Sequence, residues 1–258
     1  QKIYSQKKIL CNMLLDGKTA IITGSNRGIG YKILETFSEN GANVFACSRK
    51  IDDEFISKIN NLSRNYNNEI YPIELDLSDE NKVKAASEKI LEKKKINILV
   101  NNAATIYTSL FQMTSIKKLN EVFKINFLSQ TIFTQYILKS MIREKSGSII
   151  YISSSSATDG NAGRFAYASS KAALNAQAKV LSREVGKNNI RVNVIAPGLT
   201  NTDMMVQNTS KEMIQKTLSG VSLNRVAEPK EISNTALFLA SELSSYLTGQ
   251  IIRVDGGM

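Results

Sequence analysis

The chain of 258 residues is 42% hydrophobic and 22% charged, a balance that suits a folded globular protein and argues against a disordered or fibrous one. Its formal net charge of +10 raises acidic partners such as nucleic acid, anionic lipid or an acidic carrier protein, but the lysines are scattered apart from Lys93, Lys94 and Lys95, and no RNP, zinc or helix-turn-helix pattern accompanies them, so no nucleic acid is expected. The absence of histidine excludes Ser-His-Asp triads, histidine proton transfer and most transition-metal sites, and leaves acid/base work to Tyr, Lys and carboxylates.

Residues 1 to 12 are basic and polar, and the short apolar stretch after them is broken by Asn12 and Asp16, which disfavours a secretory signal. Met13 fits a native start, so residues 1–12 are expected to be a disordered extension, a tag or an organelle-targeting remnant. Cys11 and Cys47 are too few for a disulfide framework or a zinc site; no metal is expected, and a reducing compartment follows. No apolar run reaches the roughly 18 residues that span a bilayer, so the expected location is the cytoplasm, or an organelle matrix if residues 1–12 direct it there.

From residue 13 onward, β-rich runs alternate with helical periodicity. Strands are expected near 18–23, 43–48, 70–75, 96–100, 148–153, 190–195 and 250–254, and helices near 28–39, 52–65, 79–93, 115–143 with a break, 167–186 and 229–241. Runs of Val, Ile and Leu fit strands buried on both faces, and the alternation predicts an α/β fold: a doubly wound, seven-stranded parallel sheet, Rossmann-like, with helices on both faces, in a single domain over 13–258. Asp79 and Pro229 mark two helix starts. Residues 199–228 are polar and Met-rich, lack a clear strand and follow a strand end, which makes them the expected substrate lid.

The first strand runs into Gly24-Ser25-Asn26-Arg27-Gly28-Ile29-Gly30 and then a helix. Glycines there let the backbone turn tightly and approach a pyrophosphate, whose charge rests on the helix N-terminus, so all seven residues are candidate cofactor contacts. At the end of the second strand an acidic residue would bond the ribose of NAD. Here the strand ends in Ser48-Arg49, and Arg27 supplies a second cation, so the expected cofactor is NADP(H).

Tyr167 and Lys171 are four apart in a helical segment and share one face. A free Tyr, with a pKa near 10, is a poor base at neutral pH, but a nearby ammonium favours the phenolate. The preceding strand ends in Ser153-Ser154-Ser155-Ser156.

The Gly-x-x-x-Gly-x-Gly spacing, Asn101-Asn102-Ala103-Ala104 and Tyr-x-x-x-Lys together resemble the short-chain dehydrogenase/reductase family, over about residue 14 to the C-terminus. The resemblance implies Tyr167 as catalytic acid/base and Lys171 beside it. A serine thirteen residues earlier selects Ser154, and Asn126 in Lys124-Ile125-Asn126 would organise a water near the Lys. It further implies cofactor contacts at Asp76 and Leu77 after the third strand and at Asn102 and Ala103, where the final Ala104 departs from the family's Gly. Pro197, Gly198 and Thr202 match its Pro-Gly-x-x-x-Thr, with a backbone group at Ile195 orienting the nicotinamide carboxamide. The reaction implied is hydride transfer between nicotinamide and a carbonyl carbon.

Within the family, Asn193-Val194-Ile195-Ala196-Pro197-Gly198 and Ser245-Tyr246-Leu247-Thr248-Gly249 are most similar to 3-oxoacyl-acyl-carrier-protein reductases, which implies a place in fatty acid biosynthesis, a 3-oxoacyl thioester substrate, an acyl carrier protein partner and a homotetramer. Lys145 and Lys187 lie near the basic docking positions of carrier-dependent relatives. A dehydrogenase or reductase of another small alcohol, polyol, steroid or sugar is the alternative, and a catalytically silent cofactor-binding regulator is a third reading.

Overall fold

A computed structural model describes residues 13–258, so the expectations for residues 1–12 lie outside the described residues. Seven apolar runs form β1 (Thr19–Thr23), β2 (Asn43–Ser48), β3 (Ile70–Glu74), β4 (Ile98–Asn101), β5 (Gly147–Ile152), β6 (Ile190–Pro197) and β7 (Ile251–Val254). All pair in parallel, in the order β3-β2-β1-β4-β5-β6-β7. The helices are α1 (Gly28–Glu39), α2 (Asp53–Tyr66), α3 (Glu80–Leu91), α4 (Ile116–Phe123), α5 (Ser129–Glu144), α6 (Ser156–Asp159), α7 (Phe165–Val185), α8 (Asp203–Asn208), α9 (Lys211–Leu218) and α10 (Pro229–Ala240).

Alternate residues of each strand feed two separate cores, as the period of 2 requires. Ile21, Phe45, Leu99, Ile149 and Val192 pack with Ile90 of α3, Phe133 of α5 and Leu174 of α7. Ala20, Val44, Val100 and Ile150 pack on the other face with Ile33 of α1, Ile59 of α2 and Ile232 of α10. Both faces are covered, which is why the strands read as near-continuous apolar runs.

Local chemistry sets the helix ends. Asp52 and Asp79 accept from first-turn amides of α2 and α3, and α10 opens on Pro229 with a capping box between Glu228 and Glu231. The break expected within 115–143 is a π-helical turn, Lys124–Leu128, between α4 and α5. The segment after β6 contains no strand, as expected, but it is not irregular: it forms α8 and α9, capped by Thr202 and Ser210. A bridge between Thr200 and Ala227 closes its base.

Strand order reverses between β1 and β4, so a crevice opens outside their carboxyl ends. Parallel strands place every carboxyl end on that edge. Lys145 and Lys187 precede β5 and β6, which puts them at the opposite edge, away from the chain's own cleft.

Candidate active site

A cleft of about 990 Å³ lies over the crevice. The glycine loop forms one wall. Gly24 and Gly28 have φ of +67° and +57°, in the left-handed region, and a Cβ on Gly30 would run into the Gly24 carbonyl. Asn102 fixes the loop: its Nδ2 donates to the Thr23 and Gly24 carbonyls at 2.9 and 3.1 Å, while the Asn102 and Ala103 amides donate to Thr23 Oγ1 at 2.9 and 3.0 Å. The first turn of α1 has no side-chain cap, unlike α2 and α3, so its amides are available to an anion.

Asn26, Arg27, Gly28 and Ile29 line the cleft with Gly24 and Gly30. Ser25 does not. It is fully buried, and both its amide and its hydroxyl donate to the Cys47 carbonyl, at 3.0 and 3.1 Å, tying the loop to β2. Arg27 also has its guanidinium 3.8 Å from Asp203, at the start of α8.

Ser48, Arg49, Asp76 and Leu77 border the far end of the cleft. Ser48 and Leu77 are buried, whereas Arg49 is exposed and, among the described residues, has no ion-pair partner. Asp76 Oδ1 accepts from the Ser78 amide and hydroxyl at 2.9 and 2.7 Å; these bonds, with the charges of Lys82 and Arg49, hold its carboxyl below the usual range.

The other wall carries Ser154, Tyr167 and Lys171. All four serines border the cleft, but they differ in burial: Ser153 and Ser155 are buried, with amides donating to the Ile195 and Pro197 carbonyls at 2.7 and 2.8 Å, while Ser154 and Ser156 are half-buried and the Ser154 hydroxyl bonds that of Tyr167. Tyr167 stands in the first turn of α7. Lys171, one turn on and 1% exposed, donates from Nζ to the Ile152 carbonyl at 2.6 Å and lies 5.8 Å from the Tyr167 ring centroid.

Asn126 sits in the π-helical turn and is fully buried. Its Oδ1 accepts from the Thr105 amide at 2.8 Å, and Nδ2 donates to the Thr105 carbonyl and Ser170 Oγ at 2.9 and 3.0 Å. The side chain therefore holds the loop after β4 against α7.

Pro197, Gly198 and Thr202 line the cleft. Gly198 is glycine because a Cβ would lie 2.8 Å from Asp255 Cα. Thr202 Oγ1 caps α8 by accepting from the Met205 amide at 3.3 Å. Ile195 is buried within β6 and its carbonyl is taken by Ser153, so the expected carboxamide contact does not come from it. Leu199 and Thr200 line the cleft instead.

Residues 23–258 match the family described as enoyl-(acyl carrier protein) reductase. The 3-oxoacyl-acyl-carrier-protein reductase FabG of Chlamydia muridarum is 41% identical over 249 residues, covering 96% of this chain and 99% of its own. The chain belongs to the short-chain dehydrogenase/reductase family. Among solved structures, a 7α-hydroxysteroid dehydrogenase complexed with NADH and 7-oxoglycochenodeoxycholic acid aligns with a TM-score of 0.89 at 33% identity, over 95% of this chain and 96% of that one. A Beutenbergia cavernae protein titled as an NAD(P)-dependent gluconate 5-dehydrogenase, with bound NADP, aligns with a TM-score of 0.89 at 27% identity, over 95% and 98%. As a short-chain dehydrogenase/reductase, the chain is an oxidoreductase acting on CH–OH and C=O groups with a nicotinamide cofactor.

In this short-chain dehydrogenase/reductase, burial raises the Tyr167 pKa, with the Ser154 hydroxyl and the Arg164 charge pulling the other way, while burial lowers Lys171 to about 7. Burial of the ring favours the protonated phenol.

Sequence reasoning missed Arg164, Thr105 and Met258, all of which line the cleft. Arg164, three residues before Tyr167, carried no motif and read as an ordinary surface charge. Thr105 could have been suspected only from its place just after Asn101-Asn102-Ala103-Ala104.

Proposed function

We propose that the chain reduces the 3-oxo group of an acyl thioester with NADPH. The reading is carried by one observation: Tyr167, the Ser154 hydroxyl and Lys171 converge on one wall of a cleft whose opposite wall is a glycine loop suited to a dinucleotide. Ser154 would hold the carbonyl oxygen by a donated hydrogen bond, and Tyr167, with its proton kept by burial, would deliver that proton as the carbon is reduced. Lys171 would stand behind Tyr167 and fix the cleft wall through Ile152.

The residues present fit the cofactor. The pyrophosphate would rest on the uncapped first turn of α1, and a 2′-phosphate would meet Arg49, with Ser48 as a further donor. When bound, NADPH supplies the hydride. Arg27, paired with Asp203, would play the smaller part in phosphate binding.

The thioester substrate is supported by the end-to-end match to the Chlamydia muridarum reductase, and the carrier-bound form of that substrate belongs to the same proposal. A homotetramer is supported by the exposed apolar side chains Leu128, Ile142 and Val180 along the π-helical turn, α5 and α7. No helix among the described residues is long and apolar enough to cross a membrane.

NADPH oxidation measured with acetoacetyl thioesters of carrier protein and coenzyme A, a 7-oxosteroid and a keto-gluconate tests the proposal. Preferred turnover of the thioesters is expected. Preferred turnover of the steroid or the sugar acid would overturn the substrate assignment, and no turnover of any carbonyl would overturn the catalytic one.

A further inference from the structure

Arg164 occupies the N-cap position of α7, three residues before Tyr167, yet its guanidinium reaches away from its own helix. Nη1 donates to Thr108 Oγ1 at 2.6 Å on the loop after β4, and Nη2 donates to the Asn208 carbonyl at 2.7 Å and Thr209 Oγ1 at 3.1 Å, at the C-terminal end of α8. Its backbone forms a bridge with Ser109. Among the described residues no carboxylate forms an ion pair with it.

A partly desolvated cation without an acid partner is costly unless its donors are used, and here they join three chain segments. The segment they hold is rooted only at its two ends. Asn201 and Ala227 close its base, with the Asn201 amide bonding the Ala227 carbonyl at 2.8 Å and the Ala227 amide the Leu199 carbonyl at 2.9 Å, while the Leu223 amide bonds the Gly256 carbonyl at 3.0 Å and Arg225 pairs with Glu231; α8 and α9 lie between these anchors. The six-residue α8 is too short to stand alone. Its other end is tied by Arg27 and Asp203, whose side chains are 62% and 64% exposed, and such a pair contributes little. Met204, Met205 and Met213 of this segment line the cleft.

We propose that Arg164 is a positioning residue that latches the end of α8 and the Thr108 loop onto the first turn of α7, so that residues 201–226 cover the substrate end of the cleft above Tyr167. The latch acts at Asn208 and Thr209, at the opposite end of α8 from Thr202 and Asp203, and the glycine loop is held independently by Asn102. The inference rests on the carbonyl-reductase reading for its kinetic consequence, but the latch itself is visible without substrate.

Trypsin susceptibility at Lys211 and Lys216 in α9, and Michaelis constants for whichever carbonyl the parent reduces, are compared in Arg164→Gln, Arg164→Lys and Thr209→Val. Arg164→Gln should speed cleavage of the folded protein about tenfold and raise the substrate Michaelis constant by a similar factor. Its NADPH dissociation constant should stay within about twofold of the parent. Arg164→Lys should recover part of the loss, and Thr209→Val, which keeps the guanidinium, should shift both readouts the same way by less. It also serves as the test if Arg164→Gln does not fold. Unchanged cleavage and Michaelis constant would overturn the proposal, as would cofactor and substrate affinity falling together with the melting temperature. A parent that reduces no thioester would defeat the functional reading while the proteolysis still decides the latch.

Discussion

Lys171 Nζ donates to the Ile152 carbonyl at 2.6 Å, so the amine that stands beneath Tyr167 is anchored to the last residue of β5 and not to the phenol. The bond fixes the end of β5 from which Ser154 emerges, and it leaves the amine 1% exposed. Burial of that kind disfavours the ammonium and lowers its pKa from 10.5 to about 7.

The folded chain therefore releases this proton before the unfolded chain does. Between about pH 7 and 10.5 the unfolded state binds more protons, so this group makes stability rise with pH across that window. Lys171→Met removes the penalty: it should raise the melting temperature near pH 7, by an amount on the order of a few kcal/mol of stability, and the gain should fade toward pH 10. Melting curves of both proteins across that range check this, and a gain that does not change with pH would refute the buried-amine account. Activity should be lost in the variant at every pH.

Arg49 has no ion-pair partner among the described residues and stands where β2 ends. Arg49→Asp should remove about 1.5–3 kcal/mol of charge-assisted bonding to a 2′-phosphate and add repulsion, reversing or erasing a preference for NADPH over NADH. Arg27→Ala should do much less, because Arg27 faces Asp203. Initial rates with both cofactors decide it. A parent that prefers NADH would remove the phosphate-binding assignment of Ser48 and Arg49.

Asn102 binds two carbonyls of the glycine-loop entry with one amide. Asn102→Ala should leave them without that donor, lower the melting temperature and weaken NADPH binding about tenfold, as read by fluorescence titration. Unaltered binding would show that the loop holds its shape without the clamp.

Much of this was legible in the sequence because it is local. Strands buried on two faces announce themselves as Val and Ile runs, Gly24, Gly28 and Gly30 are required by backbone angles and close approach, and Tyr167 and Lys171 meet through a helical turn. Even the short α8 and α9 had local signals in Thr202 and Ser210, which sit at their N-caps. What the sequence could not show depends on which groups meet across the fold. Ser25 lies in the glycine loop but is spent on the Cys47 carbonyl. Asn126 is committed to Thr105 and Ser170 by the π-helical turn. Lys145 and Lys187 resemble docking residues by position, yet strand direction places them at the far edge of the sheet. The burial that raises the Tyr167 pKa was hidden for a related reason, since it is a property of the packed cleft and not of the Tyr-x-x-x-Lys spacing.

The most direct test is Tyr167→Phe, measured for turnover and for NADPH binding in the same preparation. The ring remains to pack on the cleft wall and only the proton-bearing hydroxyl is lost. Turnover should fall by roughly a thousandfold while the NADPH dissociation constant stays within about twofold of the parent. Turnover within about tenfold of the parent would contradict the assignment of Tyr167 as the acid that protonates the reduced carbonyl.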